Sequence, residues 1–156
     1  MNAPAPGHTS TALGDQVGLR PVLDDPETGG FFAAAADRRL VVQTCRSCEH
    51  QQHPPRPRCR ACHDANLAWT DVPQTGTVHT WTVVEHQINP HYPVPYTSIL
   101  VDVEPRPGEP VIRFLGHLAG RPQLRVGAPV RTVFVELDDT TTIPNWELIP
   151  DTELSH

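Results

Sequence analysis

The sequence contains no lysine: all twelve of its basic residues are arginine, against 18 acidic residues. That absence excludes catalysis through a lysine imine in this chain alone. It also excludes a Walker-type phosphate loop, which needs its lysine. A formal charge of −6 disfavours nonspecific nucleic-acid binding, which draws its affinity from cations placed on phosphates. No apolar run approaches the roughly 18 residues of a membrane helix, and the amino terminus lacks the basic start and apolar core of a secretory signal. The expectation is a soluble, cytoplasmic protein without membrane contact. Aromatic residues are scarce at 6%, so the core is thin and aliphatic. None of the four serines sits in a G-x-S-x-G elbow, and neither G-x-G-x-x-G after a strand nor H-E-x-x-H occurs. Asp138 and Asp139 are adjacent on a strand end, so their side chains diverge. No autonomous active site emerges.

What the chain has in excess is proline, 18 residues of 156, poor material for helix interiors. Residues 1–23 are expected to be a disordered tail, because they offer too little apolar surface to offset chain entropy. Asp24-Asp25-Pro26-Glu27 is a capping-competent helix start. It leads through Gly29-Gly30 into Phe31, Phe32 and four alanines, with Arg38-Arg39 expected to close the helix against its dipole. Leu40–Thr44 and Leu67–Val72 read as short strands. After the break at Pro73–Gly76 the pattern alternates in the β manner over 77–84, 96–103, 111–115, 130–137 and 145–149. Five strands divided by Pro, Gly and Asp turns, with no helical interlude, predict a small closed barrel. The expected division is 24–72 for helix plus cysteine cluster, 73–150 for the barrel, and 151–156 as a second tail.

All four cysteines fall within 18 residues, as Cys45-x-x-Cys48 and Cys59-x-x-Cys62. Each pair sets two sulfurs on one tight turn, at the reach a tetrahedral metal site needs. Four protein ligands leave no open position for water, so the metal is structural. Zinc is expected, with iron, or a metal-free or disulfide state, as the alternatives. His50, His53 and His63 are competing donors, read as surface residues because four thiolates are available. Arg46, Arg56, Arg58 and Arg60 surround the cysteines. They read either as solvated charges offsetting the metal–thiolate centre or as a grip on phosphate, of coenzyme A or of nucleic acid. His86–Tyr96, with His91 and Tyr92, is a long loop of prolines, aromatics and polar groups. It is either a plain proline-stiffened connection or a partner or substrate loop. His79, Glu85, Asp102 and His117 lie on or near strands, and sequence alone does not bring them together.

These residues carry a resemblance. The stretches LVVQTCRSC, HPPRPRCRAC, GTVHTWTVV, PYTSILVDVE and LRVGAPVRTVF resemble a family of acyl-CoA-associated proteins first catalogued as domain of unknown function thirty-five. The similarity runs over about 28 to 150. It implies a mainly β fold: an N-terminal helix and rubredoxin-like zinc ribbon, then a five-stranded OB-fold barrel. The family's ribbon ligands map onto Cys45, Cys48, Cys59 and Cys62. Some relatives have lost theirs, so the four retained here imply bound zinc. The glycine usual before the first barrel strand is Gly76, and that of the late turn is Gly127. The residue after the second cysteine, often glycine, is Glu49 here.

The resemblance further implies a heteromeric role. Family members accompany thiolase-like, lipid-transfer-protein-type enzymes acting on acyl-CoA thioesters, by acyl transfer, condensation, or retro-aldol cleavage of steroid side chains in actinobacteria. The expectation is a subunit not catalytic alone, holding such an aldolase in an active shape, with acyl-CoA at the shared interface. An acyltransferase complex is the near alternative. A ribbon-and-barrel nucleic-acid module would show affinity falling steeply with salt, and an autonomous thioester hydrolase or hydratase would show turnover by this chain alone.

Overall fold

In the computed structural model, residues 20–90 and 92–150 are described. They form one helix, α1 (Gly29–Ala36), and two antiparallel sheets. The smaller sheet has the order β2 (Gln51–Gln52), β1 (Val41–Cys45), β3 (Leu67–Asp71). The larger runs β6 (Ile112–Ala119), β5 (Tyr96–Val103), β4 (Thr75–Val84), β7 (Pro129–Glu136), β8 (Thr142–Leu148). The fold is mainly β, a ribbon followed by a five-stranded sheet of the OB kind, as the resemblance implies.

Helix α1 takes in both glycines, starting at Gly29. A Cβ on Gly29 would stand 2.4 Å from the Leu23 carbonyl oxygen, and one on Gly30 would stand 2.1 Å from the Trp69 indole nitrogen. The pair therefore allows close packing against Leu23 and Trp69. The expected acidic cap is not formed: the N-cap is Thr28, without a side-chain cap bond and with no acidic residue in the first turn. Asp25 instead closes the turn before the helix, accepting from the N–H groups of Glu27 and Thr28 at 3.0 and 2.7 Å. The helix end departs from expectation. No basic residue lies in the last turn; instead Arg38 takes the left-handed φ of 59° beyond the cap. Its N–H reaches Ala35 O, and the Arg39 N–H reaches Ala34 O, a Schellman closure. The two arginines are spent elsewhere. Arg39 makes a bidentate pair with Asp71 at 2.8 Å for both bonds, and Arg38 reaches Phe134 O and Glu136 on β7.

Strand β2 is too short to show a period, and nothing in the sequence announces it. Strand β6 runs on to Ala119, past the expected end at Leu115, because Gly116 is a packing requirement and not a break. A Cβ there would meet the Trp146 ring at 2.7 Å. Strand β8 begins at Thr142 despite Pro144, which an edge strand tolerates. Strand β4 pairs with β7 over 75–77 and with β5 over 77–84, bending at an irregularity between Val78 and Thr80.

One core serves both sheets. Leu40, Val42 and Val72 from the ribbon pack with Val78, Ile99, Val101, Val103, Phe114, Val130 and Trp146 of the barrel. Arg20 also forms an ion pair with Asp138, whose carboxyl is held down to about 2 by the Thr140 N–H and hydroxyl. Among the described residues, no helix is long and apolar enough to cross a membrane.

Candidate metal centre and its surroundings

The two C-x-x-C turns are built alike. In the first, the Glu49 N–H donates to Cys45 O at 2.9 Å and the Cys45 N–H to His50 O at 2.9 Å. In the second, the His63 N–H donates to Cys59 O at 3.0 Å and the Cys59 N–H to Asp64 O at 2.8 Å. Each turn closes on a residue of positive φ, Glu49 at 60° and His63 at 63°. That explains physically why glycine suits the position after the second cysteine. Ser47 donates to the Asp64 carboxylate, tying one turn to the other.

The four sulfurs lie within 4.8 Å of one another. Cys45 Sγ is 3.5 Å from Cys62 Sγ, and Cys48 Sγ is 3.6 Å from Cys59 Sγ. A tetrahedron with Zn–S bonds of about 2.3 Å requires sulfurs about 3.8 Å apart, so this donor set fits zinc. Four thiols so close do not all ionise unaided. Backbone N–H donation from Cys62 takes Cys59 down to about 7. Cys62 is eased by the Asp64 N–H, yet its sulfur neighbours Cys48 and Cys45 push it up to about 12. Cys45, Cys48, Cys59 and Cys62 would hold zinc as thiolates, its charge offsetting their mutual repulsion. The centre is structural: all four positions belong to protein.

What sets the second turn against the first is a buried amide pair that sequence reading missed. Gln43 on β1 and Gln52 on β2 are both buried. Gln43 Oε1 accepts from Gln52 Nε2 at 2.9 Å and from the Arg56 N–H at 2.8 Å. Gln52 Oε1 accepts from the Arg60 N–H at 2.9 Å, and its amide donates to Arg58 O at 3.2 Å. The Pro-rich span 53–60 is thereby held by its backbone.

The competing histidines divide. His50 and His63 are exposed, and neither enters the sulfur cluster. His53 is turned inward, its ring 5.3 Å from Phe31 and 4.4 Å from Phe114, with burial pushing it down to about 4. It lines both an apolar hollow of about 340 Å³ with Phe31, Phe32 and Trp146 and a groove of about 840 Å³ between ribbon and barrel.

The four ribbon arginines do not share one hollow. Arg60 lines the groove with His50, and Arg113 of β6 stands on its barrel side. Arg56 lines a separate hollow with Trp69, Arg58 donates to His63 O at 3.1 Å, and Arg46 is exposed.

In the β4–β5 loop, His86 is exposed, and His91 lies outside the described residues. Tyr92 and Tyr96 stack with each other at 5.9 Å and with His117 at 6.2 and 4.8 Å. His79 and Asp102 do meet, Nδ1 to Oδ2 at 2.9 Å, with Arg113 Nε on the other oxygen at 2.9 Å. This is a polar row across β4, β5 and β6. Among the described residues, no nucleophile is hydrogen-bonded to this row.

Two models of one family match side by side: the ChsH2 rubredoxin-like zinc ribbon domain on residues 32–68 and the ChsH2 C-terminal OB-fold domain on 69–135. A solved structure described as an Ltp2-ChsH2 (DUF35) aldolase aligns with TM-score 0.70 and 29% identity, over 81% of this chain and 97% of that one. A probable enoyl-CoA hydratase alpha subunit of Thermomonospora curvata is 32% identical over 116 residues. Those residues are 73% of this chain but only 35% of that relative, so the chain spans about a third of its length.

Proposed function

The chain belongs to the ChsH2 family of zinc ribbons joined to OB-fold domains, and from that membership we propose that it is the non-catalytic accessory subunit of a thiolase-like aldolase acting on acyl-CoA thioesters. The carrying observation is the likeness to the Ltp2-ChsH2 aldolase, which spans nearly all of the matched chain at 29% identity. The geometry supports the same reading. The one metal-ligating cluster among the described residues is a closed four-thiolate set, which leaves no open position for a substrate. Retro-aldol cleavage of a steroid side-chain thioester is the reaction we assign to the complex, with the thiolase-like subunit supplying the chemistry. The ribbon–barrel groove, with Arg60 and Arg113 on its walls, is where the coenzyme arm would meet this subunit.

The hydratase relative supports a CoA-thioester setting without assigning hydration to this chain, because most of that protein lies outside the match. The test is turnover. This chain alone, the thiolase-like protein encoded nearest to its gene, and the two together are each offered a branched β-hydroxyacyl-CoA. Cleavage by the pair and none by this chain supports the assignment; cleavage by this chain alone overturns it.

A further inference from the structure

We propose that the described part of the β4–β5 loop, residues 85–90 and 92–95, is a protein-docking surface anchored by Ile88. Its occupant is an apolar, uncharged socket on the thiolase-like subunit, and the inference rests on the heteromeric function proposed above. Ile88 is 88% exposed, the most exposed large hydrophobic residue among those described. Its setting is unlike ordinary solvated surface. From His86 to Tyr96 there is no Asp, Glu, Lys or Arg, in a chain with 19% charged residues. Depletion of charge together with tyrosine is the composition of interface centres. The lack of Lys or Arg within the loop, with Arg121 at its base already paired to Glu85, argues against a phosphate-bearing ligand here and for a neutral protein face.

The loop is braced for presentation. Glu85 and Arg121 close its base in a bidentate pair, and the Gly120 N–H donates to Pro95 O at 3.0 Å. Near the tip, Gln87 Nε2 donates to Pro90 O at 3.3 Å and the Tyr92 N–H to Asn89 O at 3.0 Å. Tyr92 rests against Tyr96 and His117, and His117 is fixed by its backbone to Asn145. Pro90, Pro93 and Pro95 restrict the rest. A hydrophobic side chain held out on such a support loses little further freedom on binding, which favours an anchor.

The experiment is calorimetric titration of the full zinc-loaded chain against the thiolase-like subunit. Ile88→Asp is expected to weaken binding by about 30-fold or more, with zinc content and melting unchanged. Val126→Asp, at a site 70% exposed but outside the loop, is expected to bind as wild type. Tyr92→Ala keeps Ile88 but removes its support, and is expected to weaken binding too. Equal binding by wild type and Ile88→Asp overturns the proposal. So does an Ile88→Asp complex that forms normally but needs more acyl-CoA for half-maximal rate, which makes this a substrate loop. Conversion of a homodimer of this chain to monomer, with the heteromer intact, overturns it in favour of a second copy. A wild-type chain that does not bind overturns the function above as well, and differs from failure here, where wild type and variant bind alike.

Discussion

The side chain of Asn145 takes the place of a strand backbone at the barrel seam: Oδ1 accepts from the His117 N–H and Nδ2 donates to the His117 carbonyl, both at 2.9 Å. Strands β6 and β8 are the two ends of the larger sheet, and they share no backbone ladder. One amide thus closes what pairing leaves open. Asn145→Ala strands a part-buried N–H and C=O together, and is expected to cost about 2 to 4 kcal/mol. Asn145→Asp keeps the acceptor but sets a buried carboxylate oxygen against the His117 carbonyl, and should cost at least as much. Urea unfolding measures both; a loss under about 0.5 kcal/mol for the alanine variant would show the seam closed by packing alone.

His53 links acid to stability. Burial lowers its folded-state value from 6.5 to about 4, so between these limits the unfolded chain binds more protons and stability rises with pH. The contribution is complete above about 6.5 and is lost as pH falls towards about 4. It amounts to about 3 kcal/mol at most. His53→Phe, between Phe31 and Phe114, should flatten this part of the profile. The slope that remains belongs to His117, also lowered by burial, to protonation of the zinc-binding thiolates, and at lower pH to the hydrogen-bonded or paired carboxylates Asp25, Asp64, Asp71, Glu85 and Asp138. Melting temperature at pH 7, 6, 5 and 4 is the readout, and an unchanged slope in the variant would contradict the assignment.

The buried Gln43–Gln52 pair positions the second cysteine turn without touching the metal. Gln52→Ala frees the Arg60 N–H and loosens span 53–60. We expect zinc affinity to drop by about 10-fold or more, the scale of outer-sphere losses. Competition with a chelator measures it, and wild-type affinity would mean the turns are set by the metal itself.

Loss of a ligand should reach beyond the ribbon. Cys45 ends β1, whose Val42 belongs to the common core. Cys45→Ser is expected to lower zinc content and open the ribbon, while the barrel persists with a lower melting temperature. Unchanged zinc content would contradict four-thiolate ligation. Glu49→Gly, by contrast, relieves a left-handed residue at φ 60° and should gain up to about 1 kcal/mol.

Much of this architecture is legible in local sequence patterns. The cysteine spacing announces the metal turns, and alternation in β5, buried at every second residue, announces the barrel. Long-range contacts with no period are not legible. Gln51-Gln52 is too short to read as a strand, Asn145 looks like any strand asparagine, and Pro144 reads as a break although it sits on an edge. The arginines near the cysteines look like one patch in sequence, yet Arg56 and Arg60 line different hollows. Arg38 and Arg39 likewise read as helix-dipole partners until Glu136 and Asp71 come into view.

The most direct test of the accessory role is co-expression with the thiolase-like protein encoded nearest to this gene, then size exclusion with zinc and both polypeptides assayed in the peak. A single heteromeric peak carrying zinc is the expected result. Two separate peaks, with zinc only on a lone copy of this chain, would contradict the proposed partnership while leaving the metal centre in place.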